Sequence, residues 1–239
     1  MLVSHAHRFI YLKGRKCAGT SVEMALEPFA APDPDLPVVE FHHAVVSERG
    51  IVGMRMQLTN TDLRTELDHK WFNHISAAQL RASVGEHIWS SYRRVAVVRN
   101  PFDRMVSYFH WDRHASALAR AAGHDKLLEA MSFDDIRAEF SAHVRSETWP
   151  TDEDILFIDG EYCIDHTLRF EGLPDVLTSL ATDLGLDQAR VRLPVTKVTQ
   201  GMRRGRPVAD YFDCDLVDIV RRRMAYSFER FGYSEDPLQ

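Results

Sequence analysis

Two apolar runs, Phe9-Ile-Tyr-Leu12 and Val95-Ala-Val-Val98, each lead through a short loop straight into a helix start. This repeated strand–loop–helix order is what most constrains the fold. An unbroken apolar run suits a strand buried on both faces, the usual condition of a parallel sheet. The first strand, Arg8–Leu12, leads through Lys13–Gly19 into a helix expected over Thr20–Glu27. After the second, Asn100 reads as an N-cap and Pro101 as the first helical residue of a helix running to about Ala122. Further strands are expected at Ile155–Ile158 and Thr167–Phe170. Ser76 with Gln79, and Ser132 with Asp135, fit capping boxes at two more helix starts, the first helix stopping at Gly85. Pro174–Leu184, closed by Gly185, and Asp213–Phe231, with apolar residues at 217, 220, 224 and 228, complete the helices. Strands alternating with helices imply an α/β fold with a central, mainly parallel sheet flanked by helices. Pro28, Pro32, Pro34 and Pro37 exclude a regular helix there, and residues 38–70 read as loop with short elements. No linker is visible, so 1–239 is expected to be a single domain, with residues 28–75 elaborating the sheet's carboxyl edge.

The loop Gly14-Arg-Lys-Cys-Ala-Gly19-Thr20-Ser21 opens a helix. Backbone N–H groups at a helix start, with the positive end of the helix dipole, favour a phosphate-like anion. Gly19 permits close backbone approach, Thr20 and Ser21 add hydroxyl donors, and Lys16 adds charge. The G-x-x-x-x-G spacing resembles a nucleotide P-loop, but that motif places lysine directly after the second glycine, where Thr20 stands here. Nucleoside triphosphate with magnesium is therefore a poorer match than another anhydride. The second unit, Arg99-Asn-Pro-Phe-Asp-Arg104-Met-Val-Ser107-Tyr108, puts Arg104, Ser107 and Tyr108 on one helix face. Arg99 can grip a phosphate through two hydrogen bonds, with Ser107 as a further donor; the competing reading pairs Arg99 and Arg104 with carboxylates such as Asp103. Two such loops imply a ligand with two separated anionic groups.

Lys16-Cys-Ala-Gly-Thr-Ser21 resembles the 5′-phosphosulfate loop of the sulfotransferases, most closely the P-K-T-x-G-T-S form of the carbohydrate branch. Arg99–Tyr108 is similar to that family's R-x-P-x-x-R-x-x-S-x-Y element, which holds a 3′-phosphate. Asp165-His-Thr-Leu-Arg-Phe-Glu171-Gly-Leu and Phe228-Glu-Arg-Phe-Gly-Tyr233 resemble two weaker family segments. Arg15 stands where the family usually has proline, and Cys17 where it has threonine, which removes one hydroxyl donor. The resemblance implies a three-layer, P-loop-like fold and transfer of a sulfuryl group from 3′-phosphoadenosine 5′-phosphosulfate (PAPS), leaving the bisphosphate PAP. It implies that Arg15, Lys16, Cys17, Ala18, Gly19, Thr20 and Ser21 bind the 5′ side, with Lys16 stabilising the leaving group. Arg99 and Ser107 then hold the 3′-phosphate, and Gly201, Arg203 and Arg204 belong to a basic segment that either closes over the 3′-phosphate or adenine, as a late loop does in that family, or is a solvated loop. His74, in Trp71-Phe-Asn-His74-Ile-Ser76, matches a family histidine assigned as base; an imidazole titrating near about 6.5 suits that task. Glu23 is a weaker alternative. The acceptor implied is a carbohydrate or glycolipid hydroxyl, with the elaboration of residues 28–75 expected near the acceptor site.

Charge and composition remove other classes. With 29 Lys+Arg against 35 Asp+Glu, the net charge of −6 argues against a nucleic-acid binder. Three separated cysteines give neither a disulfide framework nor a C-x-x-C pair. His110 and His114 have a ligand-compatible spacing, but Trp111 breaks the zinc-protease pattern and no third ligand is evident, so no metal is expected. The apolar run near the start is far short of the roughly 7–15 residues of a signal peptide, and no membrane anchor is seen, so a reducing cytoplasm is expected. A P-loop kinase or NTPase, and a nucleotide-binding module without turnover, are the competing functions; the oligomeric state is open.

Overall fold

Capping side chains mark where several helices begin. The computed structural model describes residues 1–55 and 64–237. In chain order its regular elements are β1 (Leu2–Ser4), β2 (Phe9–Leu12), α1 (Gly19–Leu26), β3 (Val45–Val46), β4 (Gly50–Val52), α2 (Glu66–Lys70), α3 (Ala77–Val84) and α4 (Glu86–Ser91). There follow β5 (Arg93–Val98), α5 (Pro101–His110), α6 (Ala117–Ala121), α7 (His124–Ala130), α8 (Phe133–Arg145), α9 (Glu153–Leu156), β6 (Phe157–Ile158) and β7 (Glu161–Tyr162). The last are β8 (His166–Arg169), α10 (Leu173–Asp183), α11 (Cys214–Arg223) and α12 (Ala225–Phe231). The capping boxes of Ser76 with Gln79 and Ser132 with Asp135 are formed, and Asn100 accepts from the backbone N–H of Phe102 and Asp103. No described helix is long and apolar enough to cross a membrane.

The chain divides into two compact units, Met1–Val98 with Asp152–Lys197, and Arg99–Thr151 with Val198–Gln239. The first unit carries a six-stranded sheet in the order β3-β4-β1-β2-β5-β8. β2 pairs parallel with β5 (Phe9 opposite Arg93), and β5 parallel with β8 (Val95 opposite His166). This is the parallel core expected from the two apolar runs, and every residue of β2 and of Val95–Val98 is buried. Beyond β2 the sheet turns antiparallel, through β1, β4 and β3. One face carries Phe9, Tyr11, Val95, Val97 and Leu168, packed in one cluster with Val22, Ala25 and Leu26 of α1 and Leu173, Leu177, Leu180 and Ala181 of α10. Full burial of each such leucine or valine is worth about 1.5–3 kcal/mol over exposure.

One expected strand is corrected. Ile155 and Leu156 close a helical turn whose N–H groups both donate to the Asp152 carbonyl. Only Phe157–Ile158 is extended, and it pairs with β7 in a separate two-stranded ribbon. Asp159 and Gly160, at φ 51° and 81°, make the tight turn between them.

The second unit is helical with an aromatic core. Phe102 packs edge-on against Phe212 (5.1 Å), and Phe140 against Phe109, Tyr211 and Phe212 at 5.3, 5.2 and 5.1 Å. The helix expected from Pro101 to Ala122 ends earlier. Trp111–Ala115 widens to a π turn, and Ser116, in extended backbone, accepts from the N–H of Ala119 and starts α6. The last helix likewise breaks at Met224, whose φ of −119° and ψ of 28° are not helical.

Candidate functional site

In the first unit, β2 delivers the chain into the loop at Lys13, and the loop wraps tightly before α1. A methyl on Gly19 would lie 2.8 Å from the Gly14 carbonyl oxygen and 2.8 Å from Lys13 Cγ, and one on Gly14 would lie 3.2 Å from the Val97 carbonyl. The backbone contact excludes a side chain at Gly19, while one at Gly14 would be tight against Val97 and Asp152. Lys16 and Ala18 occupy the left-handed region, at φ 62° and 56°. Non-glycine residues there carry strain that clusters at ligand sites. Ala18 stands at the N-cap of α1 and supplies no side-chain cap, so no cap competes with a ligand for the first-turn N–H groups.

The supporting groups lie far along the chain. Asp152 accepts from the Arg15 backbone N–H and, at 3.2 Å, from its guanidinium, which also reaches Asp154. Cys17 is buried; its thiol donates to the Arg15 carbonyl at 3.3 Å and lies 3.9 Å from Asp152 Oδ2. Lys16 Nζ donates to the Lys197 carbonyl (3.5 Å), Lys197 Nζ to Thr20 Oγ1 (3.2 Å), and the hydroxyls of Ser21 and Thr196 share a hydrogen bond of 3.0 Å. Thr196, Lys197 and Asp152 were absent from the sequence expectation. Only the fold brings them to the loop, and no local pattern marks them.

His74 also stands beside this loop. It takes a left-handed φ of 58°, and its Nδ1–H donates to the Lys13 carbonyl at 3.0 Å. A carbonyl can only accept, so this bond fixes the tautomer and leaves the lone pair on Nε2. The expectation of an ordinary imidazole is corrected: burial first, then the Lys13 cation, holds His74 well below its usual range. The ring is neutral at pH 7, with its lone pair on Nε2. Asn73 Oδ1 accepts from Lys13 Nζ at 2.9 Å, and Glu23 Oε2 does so at 2.6 Å. Burial raises Glu23, but Lys13, then the Met1 α-amino group and Arg55, outweigh it and bring Glu23 down to about 2. Glu23 is thus a fully buried, ionised partner of Lys13, poorly suited to take a proton.

In the second unit, Arg99 Nε donates to Asp103 Oδ2 at 2.5 Å and Arg203 bonds Asp103 Oδ1 at 2.6 Å. Burial raises Asp103, but Arg99 and then Arg203 outweigh it and hold the carboxyl below its usual range. Two of the residues assigned to the 3′-phosphate are therefore bridged by one carboxylate. Ser107 and Thr199 are buried and share a hydrogen bond of 3.0 Å. Arg104, also buried, donates to the Pro150 carbonyl at 3.2 Å. Gly201 is exposed in a short 3-10 turn, and Arg204 donates to the carbonyls of Met131 and Leu128 at the end of α7. His110 and His114 are buried, and no group of three His, Cys, Asp or Glu among the described residues is placed to hold a metal ion.

The sequence model of the sulfotransferase family matches residues 1–150. The chain belongs to the sulfotransferase family. It is therefore a transferase of sulfuryl groups. The matched span contains the Gly14–Ser21 loop, His74 and the Arg99–Tyr108 element, and stops before Thr196, Lys197 and the Gly201–Arg204 turn. No curated protein and no solved structure matched the chain.

Proposed function

We propose that this sulfotransferase moves the sulfuryl group of PAPS to a hydroxyl of a carbohydrate or glycolipid. The observation that carries the reading is the α1 entrance: an uncapped helix start, packed too closely for a side chain at Gly19, with Lys16, Thr20 and Ser21 beside it. Helix N–H groups, two hydroxyls and a lysine form a donor set suited to a doubly anionic phosphosulfate. Arg15–Ser21 hold its 5′ side, and Arg99 and Ser107, with the Gly201–Arg204 turn, take the 3′-phosphate.

By analogy with phosphoryl transfer, the chemistry asks mainly for alignment and charge stabilisation. Nε2 of His74 takes the acceptor's proton as the acceptor oxygen bonds to sulfur. The sulfur–oxygen bond to the 5′-phosphate breaks, its electron pair leaves on that phosphate oxygen, and Lys16 neutralises the charge that collects there. PAP and the sulfate ester are the products.

Calorimetric titration with PAP, beside ATP–magnesium, tests the donor, and transfer from labelled PAPS to a panel of sugar hydroxyls tests the acceptor. Micromolar PAP binding, weakened in Arg99→Ala and unmatched by ATP, is the expected result. Binding of ATP–magnesium without PAP overturns the reading.

A further inference from the structure

Residues Thr196 and Lys197 meet each of the three side chains that give the anion loop its chemistry. The Lys197 carbonyl accepts from Lys16, the Lys197 ammonium donates to Thr20, and the Thr196 hydroxyl bonds that of Ser21. Lys197 reaches this position through a left-handed φ of 51°, a strained setting for a residue with a side chain. Thr20 Oγ1 accepts from Lys197, which leaves its own O–H to donate elsewhere.

Lys197 Nζ sits part-buried beside the loop, in a setting that other cations share. Burial first, then the nearby Lys13 cation, lowers its ammonium to about 8. Charged groups that face it include Lys13 after β2, Glu23 on α1, Glu40 before β3 and Arg55 after β4, with Lys16 against its backbone carbonyl. Glu23 is already engaged by Lys13. An anion bound at the loop would relieve the burden that burial and Lys13 place on this charge.

We propose that Lys197 is a second donor-binding lysine, which contacts a 5′-phosphate or sulfuryl oxygen beside Thr20 and shares with Lys16 the charge of the bound donor. The inference rests on the PAPS reading above. It assigns a role to a residue outside the span that the family model matches.

The test is PAP binding by calorimetry at pH 7 and pH 9 for the unaltered chain, Lys197→Met and Lys197→Arg. With free-state titration near 8, the unaltered chain should lose about tenfold in affinity at pH 9, one unit above that value. Lys197→Met should bind about tenfold or more weakly at pH 7 and show no such fall. Lys197→Arg, which keeps its charge at both pH values, should bind well at pH 7 and also stay flat. A merely structural role would not remove the pH dependence. Unaltered pH 7 affinity in Lys197→Met, or a fall persisting in either variant, overturns the inference while leaving the donor assignment intact. Absence of PAP binding by the unaltered chain overturns the donor assignment itself, and Lys197's role with it. If Lys197→Met does not fold, the flat profile of Lys197→Arg still decides.

Discussion

His110 makes this chain's stability fall in mild acid by an amount that can be worked out in advance. Its Nε2 lies 2.9 Å from the Tyr211 hydroxyl, the side chain is fully buried, and Nδ1 has no partner among the described residues. Burial first, then the His114 and Arg203 charges, lowers its titration to about 3. In the unfolded chain the same imidazole titrates near about 6.5. Between those values protons bind the unfolded state and not the native one. The stability is intact above 6.5, falls with pH below it, and stops falling below about 3. From pH 7 to pH 5 this one group removes about 2 kcal/mol. Any native value below about 4 gives the same figure, because the native state then holds almost no proton at pH 5. Other buried histidines add to the total, so the assay is a double difference. Urea unfolding of the unaltered chain and of His110→Phe, each at pH 7 and pH 5, isolates the group. The lost bond to Tyr211 is common to both pH values and cancels. The stability advantage of the unaltered chain over the variant should shrink by about 2 kcal/mol at pH 5. An advantage equal at the two pH values would refute the argument.

Three further outcomes are expected. Gly19→Ala forces its methyl against the Gly14 carbonyl and Lys13, so it should cost about 1–3 kcal/mol in urea unfolding and weaken PAP binding by calorimetry. His74→Ala should lower kcat by about 10²–10⁴-fold with PAP affinity nearly unchanged, since its proposed work is proton transfer. Ser132→Ala removes the side chain that caps α8 and should lower stability by about 1 kcal/mol, with sulfuryl transfer rates at saturating substrate kept.

The sequence carried those parts of the structure whose signals are local. Phe9–Leu12 and Val95–Val98 are buried because an unbroken apolar run has no wet face, and Ser76, Asn100 and Ser132 cap helices because their side chains reach the backbone two or three residues on. The interruptions were harder to read. Trp111–Ala115 keeps a helical apolar pattern while its backbone widens, and only Ser116's bond to Ala119 marks the restart. Ile155 and Leu156 form a short apolar run that periodicity cannot divide between strand and helix. At the site, the glycine-rich loop was legible from residue types and order. Lys197, Thr196 and Asp152 were not, because their partners lie more than a hundred residues away in the chain. The titration of His74 was also hidden, since it depends on burial that no neighbouring residue announces.

The order in which the chain visits its two units has a consequence for how it becomes functional. The first unit is discontinuous: the stretch from Met1 to Val98 is completed only by Asp152–Lys197. During synthesis, β5 emerges long before β8, so an open strand edge must wait for its parallel neighbour. The anion loop waits too, first for Asp152 and then, last of all, for Lys197. A polypeptide ended at residue 150, where the family match stops, would keep every familiar motif of the loop and lack the strand and side chains that hold it. Such a fragment would expose the β5 edge as a template for aggregation, and the loop would gain its contacts with Asp152 and Lys197 only with the late return of the chain.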